Sequence, residues 1–437
     1  MDYVVNPAPL TGGRFAVPGD KSISHRALML GAIAEGESVV SGFLQGEDCK
    51  ATLAALRGMG VKIDAPDTTT LAIRGSGMRG LKASAAPLDF GNSGTGMRLF
   101  AGLLSGQDFS SRLIGDESLT RRPMARVIEP LTRMGADIDS NGGLPPLTIR
   151  GGRALAGIHY ALPVASAQVK SAILLAALYA NGDTTVIEPA PTRDHTERML
   201  QSLGVTLQVD GRRISIHGRQ AVKAANIEVP GDLSSAAFVI LAGLISPDCE
   251  VLLERVGMNP SRSGIIDILR EMGASIEVEN TGLLGFEPVA DLRVRSSPLT
   301  AIDVDPSLVS LAIDEFPVLF VAAAAAKGRT RFTGIGELRV KESDRISAMA
   351  EGLRQLGIAV DEFEDGADVR GGVLKGGVVE SHGDHRVAMS LAVAGTIAAS
   401  PVRILHTDNV DTSFPGFIDG MRFLGADMTT SRAVPTP

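Results

Sequence analysis

Lysines, arginines and hydroxyl residues recur just ahead of small-residue apolar runs. Lys21, Ser22 and Arg26 fall at i, i+1 and i+5 at the start of one such run. At a helix start, Lys and Arg both reach a bound oxyanion, and a serine caps the helix or donates its hydroxyl. The segment GNSGTGMR, residues 91–98, brings in Gly94 and Arg98. It lacks the Lys-Ser/Thr of a Walker phosphate loop, because Met97 and Arg98 follow Gly96, so a nucleotide is not expected. Its glycines permit close backbone approach to a ligand; a plain turn with an N-cap explains the motif equally well. Arg121-Arg122-Pro123 opens a further helix with proline in its first turn. Ser166, Gln168 and Lys170 open another; Ser166 and Lys170 are four apart, so the SxxK nucleophile signature does not apply. Asp314-Glu315 precedes an alanine-rich run, and a carboxylate there is the natural general-base candidate. The run RVKESDR, with Glu337 just before it, packs three cations and three anions into nine residues ending at Arg345. His382 and His385 stand at i, i+3 with no third ligand at a useful spacing, so no metal site is expected.

These side chains need a scaffold that points helix N-termini at one ligand. Such ends expose unpaired N–H groups and partial positive charge, which favours anions. Six apolar runs supply the helices, starting at Lys21, Asn92, Ser166, Asp232, Asp314 and Gly383. Each is apolar on nearly all sides, so each should be a buried helix. Between them a helix-ending signature, Leu/Met-x-x-Met/Leu-Gly, occurs six times with glycines at 60, 135, 204, 273, 357 and 425. Each glycine suits the left-handed position after a helix, and alternating strands such as VKID follow most of them. The sequence therefore predicts six units of about 70 residues, each strand, buried helix, strand, amphipathic helix and strands. VPGD at Val17 recurs at Val229, three units later. Two domains of three units are expected, residues 18–230 and residues 1–17 plus 231–437, with 429–437 as a frayed tail.

Composition narrows the class. The chain has 437 residues with 42 Lys and Arg against 50 Asp and Glu, and 4% aromatics. An acidic chain poor in aromatics lacks the basic excess and stacking platforms of a nucleic-acid binder. Two cysteines cannot make a disulfide framework or a Cys-based zinc site, which points to a reducing, cytoplasmic compartment. No uninterrupted apolar stretch approaches the roughly 20 residues of a membrane span. The expected ligand is a small polyanion carrying phosphate and carboxylate groups. A non-catalytic anion-binding repeat protein would share these features.

DKSISHR, GNSGTGMR, SLTRRP, SAQVKS, TRDHTE, DEFP, RVKESDR, GDHR and TSFP occur in this order along nearly the whole chain. The set resembles the ordered motifs of the 5-enolpyruvylshikimate-3-phosphate synthase family. That resemblance implies a two-domain "inside-out" α/β fold of six βαβαββ units, three per domain. It implies transfer of the carboxyvinyl group of phosphoenolpyruvate to the 5-hydroxyl of 3-phosphoshikimate, in aromatic amino-acid biosynthesis, with no cofactor, no metal and a monomeric enzyme. Position by position, it implies that Lys21, Ser22, Arg26, Ser166, Ala167, Gln168, Arg193, Asp314 and Lys341 meet 3-phosphoshikimate. Lys21, Gly94, Arg122, Gln168, Arg345 and Arg386 fall at phosphoenolpyruvate positions. Asp314 matches the proton acceptor and Glu342 a proton-relay carboxylate, with Lys341 and Lys21 assisting; cations beside Asp314 would weaken it as a lone base. SAQ in place of SSQ, and Thr412 where many members carry lysine, resemble the class II branch, whose members are often less sensitive to glyphosate; Gly94 stands where a bulkier alanine obstructs that inhibitor. UDP-N-acetylglucosamine 1-carboxyvinyltransferases share the implied fold and donor. They carry Lys-Asn at the first helix start and typically a cysteine five residues before the Arg-Pro, where this chain has Lys21-Ser22 and Glu117.

Overall fold

All six signature glycines adopt positive φ, from 83° at Gly204 to 103° at Gly425. That is the conformation that ends a helix and redirects the chain into a strand at no Cβ cost. The computed structural model describes residues 1–431. It contains six small sheets of one design. In the sheet containing Leu88–Asp89, that strand runs parallel to Ser111–Ile114, which pairs antiparallel with Leu144–Arg150, itself paired with Asp137–Asn141. The same order, parallel pair then antiparallel hairpin, recurs around the chain. One sheet has three named strands, and there bridges at Thr300 and Asp303 take the place of the leading strand.

Three sheets close by borrowing: Gly13–Phe15 leads one of them, pairing parallel with Glu250–Gly257. Ile227–Glu228 leads the sheet of the first repeat, pairing parallel with Glu37–Ser41. The N-terminal strand Asp2–Asn6 lies between Val402–Leu405 and Asp427–Ser431 in the last sheet. This last pairing corrects the expectation of a frayed tail from 429: residues 429–431 are strand, and 432–437 lie outside the described residues.

The chain forms two compact units. The first comprises residues 19–229 together with 283–287; the second comprises 1–18, 230–282 and 288 onward. The expectation that 231–437 lies wholly in one domain is corrected by the five-residue tip of a long hairpin, Ser275–Leu284 with Glu287–Arg295, which clusters with the first unit.

Within each unit the three buried helices pack together and the sheets enclose them. In the first unit these are Lys21–Ile33, Gly94–Ser105 and Ala167–Ala177. Gly102 makes their close approach possible, because a Cβ there would lie 2.1 Å from the Ala172 carbonyl oxygen. In the second unit they are Leu233–Ile245, Phe316–Ala325 and His385–Gly395. Side-chain caps define five of the six starts: Asp20, Ser93, Ser166, Asp232 and Asp384 each accept from a backbone N–H two or three residues on. The exception, Phe316–Ala325, has proline in its first turn. Its Phe316 and Phe320 rings pack on Phe332 at 5.5 and 4.9 Å, which anchors the turn carrying Asp314. Pro306–Ala325 is long and apolar enough by composition to cross a membrane, but its most apolar stretch is mostly buried in the protein and Asp314 and Glu315 interrupt the segment.

Candidate active site

In the first unit, polar side chains collect at the starts of its three buried helices. Lys21 Nζ lies 3.1 Å from Asp48 Oδ2, both side chains largely buried. Arg26 is 3% exposed and donates to three protein oxygens. Its Nε bonds Thr196 Oγ1 at 2.6 Å, Nη1 the Ser22 carbonyl at 2.9 Å and Nη2 Ser171 Oγ at 2.7 Å. Burial pushes its pKa down to about 10, against the favourable charges of Glu197 and Asp20. Behind it, Lys170 is buried between Glu188 and Glu197, at 3.1 and 2.6 Å. That lysine is therefore part of a core ion cluster.

The glycine-rich start is wired to its neighbours. Ser93 Oγ accepts from Gly96 N–H at 3.1 Å and lies 3.5 Å from His25 Nε2, whose Nδ1 meets Thr52 Oγ1 at 2.8 Å. Gln168 donates through Nε2 to Thr95 Oγ1 at 2.9 Å and accepts from Arg98 Nη1 at 2.7 Å. Arg122, 7% exposed, donates to Asn92 Oδ1 and to Ser118 Oγ. Ser166 uses its hydroxyl on Val169 N–H, and Ala167 is the first residue of that helix. Arg193 is half-buried in the turn before helix His195–Ser202. The structure thus brings Gly94, Arg122, Gln168 and Arg98 into one cluster, with Lys21, Ser22 and Arg26 on the adjoining helix. Arg121 points away and pairs with Glu117 at the surface.

In the second unit the centre is Asp314. Lys341 Nζ lies 3.6 Å and Arg345 Nη1 3.4 Å from its Oδ1, while Arg386 Nη1 donates to its carbonyl at 2.9 Å. Arg345 is almost fully buried: Nη2 donates to Glu342 Oε2 at 2.6 Å and Nε to Asp384 Oδ2 at 2.8 Å. Its charged form is favoured well beyond an ordinary guanidinium, because Asp384, Glu342 and Asp314 outweigh the cost of burial. Arg386 also pairs with the buried Glu315 at 3.4 Å, and Ser234 donates to the same carboxylate. The RVKESDR run divides in two. Arg339 braces Asp344 and Glu362 near the surface, and Asp344 caps helix Arg345–Gln355; Lys341 and Arg345 face Asp314, and Glu342 pairs with Arg345. Asp314 and Glu342 remain about one-fifth exposed and Lys341 one-quarter exposed, so ligands can reach them.

A carboxylate held by an ammonium and a guanidinium, beside a second carboxylate and a second arginine, can accept a proton while binding an anion. The sequence profile described as EPSP synthase (3-phosphoshikimate 1-carboxyvinyltransferase) matches residues 5–421. The chain belongs to the EPSP synthase family.

A 3-phosphoshikimate 1-carboxyvinyltransferase from Alkalilimnicola ehrlichii is 56% identical over 99% of this chain and 98% of its own length. One from Nitrosococcus oceani is 54% identical over 96% and 95%. A solved EPSP synthase from Acinetobacter baumannii superposes with a TM-score of 0.88 at 49% identity, covering 98% of this chain and all of that one. The family's α/β fold is thereby this chain's fold.

Several residues that organise this EPSP synthase fold were not singled out from sequence: Asp48, Ser171, Thr196, Asp384 and Glu287. Asp384 had a visible signal, since it is the second residue of the run that begins at Gly383, and the helix itself starts one residue after it. Thr196 and Ser171 had none, because hydroxyls distant in sequence become partners only once helices pack.

Proposed function

We propose that the protein transfers the carboxyvinyl group of phosphoenolpyruvate to the 5-hydroxyl of 3-phosphoshikimate and releases phosphate. The observation that carries this reading is Asp314, whose Oδ1 lies within 3.6 Å of Lys341 and 3.4 Å of Arg345, in a chain matched over nearly its whole length by 3-phosphoshikimate 1-carboxyvinyltransferases. Asp314 takes the hydroxyl proton as the oxygen attacks C2 of the enol. The methylene carbon is protonated in the same addition. The tetrahedral phosphate ketal then loses the methyl proton and phosphate to restore the double bond. Lys341, 3.6 Å from Asp314, shares a proton with it once the two draw to hydrogen-bonding distance in the ligand-bound enzyme, and Glu342 relays protons on the other side of Arg345.

Lys21, Ser22, Arg26, Ser166, Ala167, Gln168 and Arg193 hold 3-phosphoshikimate, with Asp314 and Lys341. Lys21, Gly94, Arg122, Gln168, Arg345 and Arg386 hold phosphoenolpyruvate. Fixed cations of this kind stabilise charge developing in the transition state without reorganising, and acid–base groups contribute a further factor of about 10²–10⁴. The buried partners of Arg26 and Arg345 support this division, because both guanidiniums are already oriented before a ligand arrives. The protein acts as a monomer in the cytoplasm.

The deciding experiment mixes the purified protein with 3-phosphoshikimate and phosphoenolpyruvate and follows phosphate. Release that requires both substrates is expected, with none when UDP-N-acetylglucosamine replaces the shikimate compound. No release with the first pair would overturn the proposal and favour a binding protein.

A further inference from the structure

The tip of the long hairpin contributes a buried carboxylate to the first unit. Glu287 is 1% exposed, and its Oε1 lies 2.6 Å from Nδ1 of His195, itself 1% exposed. The other ring nitrogen, Nε2, is buried with no hydrogen-bond partner among the described residues. The Glu287 contact is therefore the hydrogen bond that orients the ring. Phe286 beside it packs on the first unit's core, and its carbonyl accepts from Arg198 Nη1 at 3.5 Å.

His195 is the first residue of helix His195–Ser202. Arg193 stands two residues before it, and Thr196 follows. Thr196 Oγ1 accepts from Arg26 Nε at 2.6 Å and meets Ser171 Oγ at 2.7 Å, and Ser171 accepts from Arg26 Nη2 at 2.7 Å. These three residues close a triangle that fixes the Arg26 fork. Setting the His195 ring sets the start of the helix, and with it Thr196 and the turn carrying Arg193.

We infer that Glu287 is a positioning residue for the shikimate half of the site, acting through His195 on Thr196, Arg26 and Arg193. A carboxylate suits the place chemically. Arg26 and Arg193 are like charges held close enough to disfavour each other, and the Glu287 charge offsets this for Arg26 and for Arg198. The carboxylate belongs to a segment distant in sequence from the rest of its unit, so the half-site is complete only when the hairpin tip is seated. This inference rests on the assignment of Arg26 and Arg193 to 3-phosphoshikimate.

The test is steady-state phosphate release by the full chain, varying each substrate in turn, for wild type, Glu287→Ala, Glu287→Gln and a control, Asp183→Asn. The control breaks an exposed His–carboxylate pair, Asp183 with His217, that touches none of these residues. Displacing a binding group by a fraction of an ångström to an ångström costs up to about 100-fold, so Glu287→Ala should raise KM for 3-phosphoshikimate about tenfold. KM for phosphoenolpyruvate should stay within about twofold. Glu287→Gln, which keeps an acceptor for His195 Nδ1–H, should recover most of the loss, and the control should match wild type. An unchanged KM for 3-phosphoshikimate, an equal rise in both KM values, or Gln as impaired as Ala would overturn the inference. Should Glu287→Ala not fold, Glu287→Asp retracts the carboxylate by one methylene and is read by the same split. Wild type without turnover would defeat the underlying assignment and this inference with it; wild-type turnover with an unshifted variant defeats the inference alone.

Discussion

The Arg345 guanidinium and the Asp384 carboxylate are buried against each other, 2.8 Å from Nε to Oδ2, with side chains 1% and 0% exposed. The same carboxylate accepts from Arg386 N–H at 2.8 Å as the cap of helix His385–Gly395. One aspartate therefore places two arginines. Burial alone would raise its pKa, but the charge of Arg345 outweighs that and holds it below the usual carboxylate range. Its contribution to stability is thus present above that range and is lost as pH falls through the lowered folded value. Removing one partner of a buried pair costs about 3–5 kcal/mol. Asp384→Asn should lower stability by that order in urea unfolding at pH 7 and raise KM for phosphoenolpyruvate. Wild-type stability and kinetics in the variant would show that Arg345 is held by its other partners.

Asp314→Asn keeps the shape of the side chain and removes its ability to take a proton. The turnover number should fall by about 10²–10⁴, with KM for 3-phosphoshikimate changed far less. Rapid-quench or steady-state phosphate release measures this, and turnover within a few-fold of wild type would remove Asp314 as base.

A methyl group at Gly94 has little room. Its Cβ would lie 2.9 Å from Arg98 Nη1 and 3.1 Å from Arg122 Nη1. Both contacts are side-chain tips, so they yield without unfolding the helix, but Arg122 must shift. Gly94→Ala should therefore raise KM for phosphoenolpyruvate about tenfold while leaving the melting temperature close to wild type. An unchanged KM would mean that the displaced guanidinium still reaches its ligand position.

His25 is fully buried beside Lys21 and Arg26, and burial first, then those two charges, push its pKa down to about 3. An unfolded histidine titrates near pH 6.5, so the unfolded state binds a proton that the folded state refuses. The associated stability is complete above that pH and declines as pH falls toward 3. The slope approaches about 1.4 kcal/mol per pH unit. In His25→Gln this component should vanish, so the difference in stability between pH 7 and pH 5 should shrink relative to wild type. Parallel urea midpoints for the two proteins across that range would refute it.

Much of the scaffold was legible because it repeats. Six glycines that must turn left-handed, and six apolar runs too uniformly greasy for a surface, allow little besides buried helices inside small sheets. The proposed ligand groups were open to sequence reasoning where they sit at helix starts, as Lys21, Ser166 and Arg386 do. The supporting shell was not, because it depends on which distant residues become neighbours. Arg26 meets Thr196, 170 residues away, and Lys170, noted only as part of a helix start, is enclosed by Glu188 and Glu197. The hairpin tip escaped notice for the same reason: alternation along Ser275–Leu284 identifies a strand, but not the body its far end joins.

The pairing of Asp2–Asn6 between Val402–Leu405 and Asp427–Ser431 has a consequence during synthesis. The stretch 19–229 can condense while translation continues, since its leading strand, Ile227–Glu228, emerges with it. The amino-terminal strand must wait, unpaired, until residues 402–431 have been made. A ribosome stalled before residue 402 should therefore carry one protease-resistant body and a leader that is still open to cleavage.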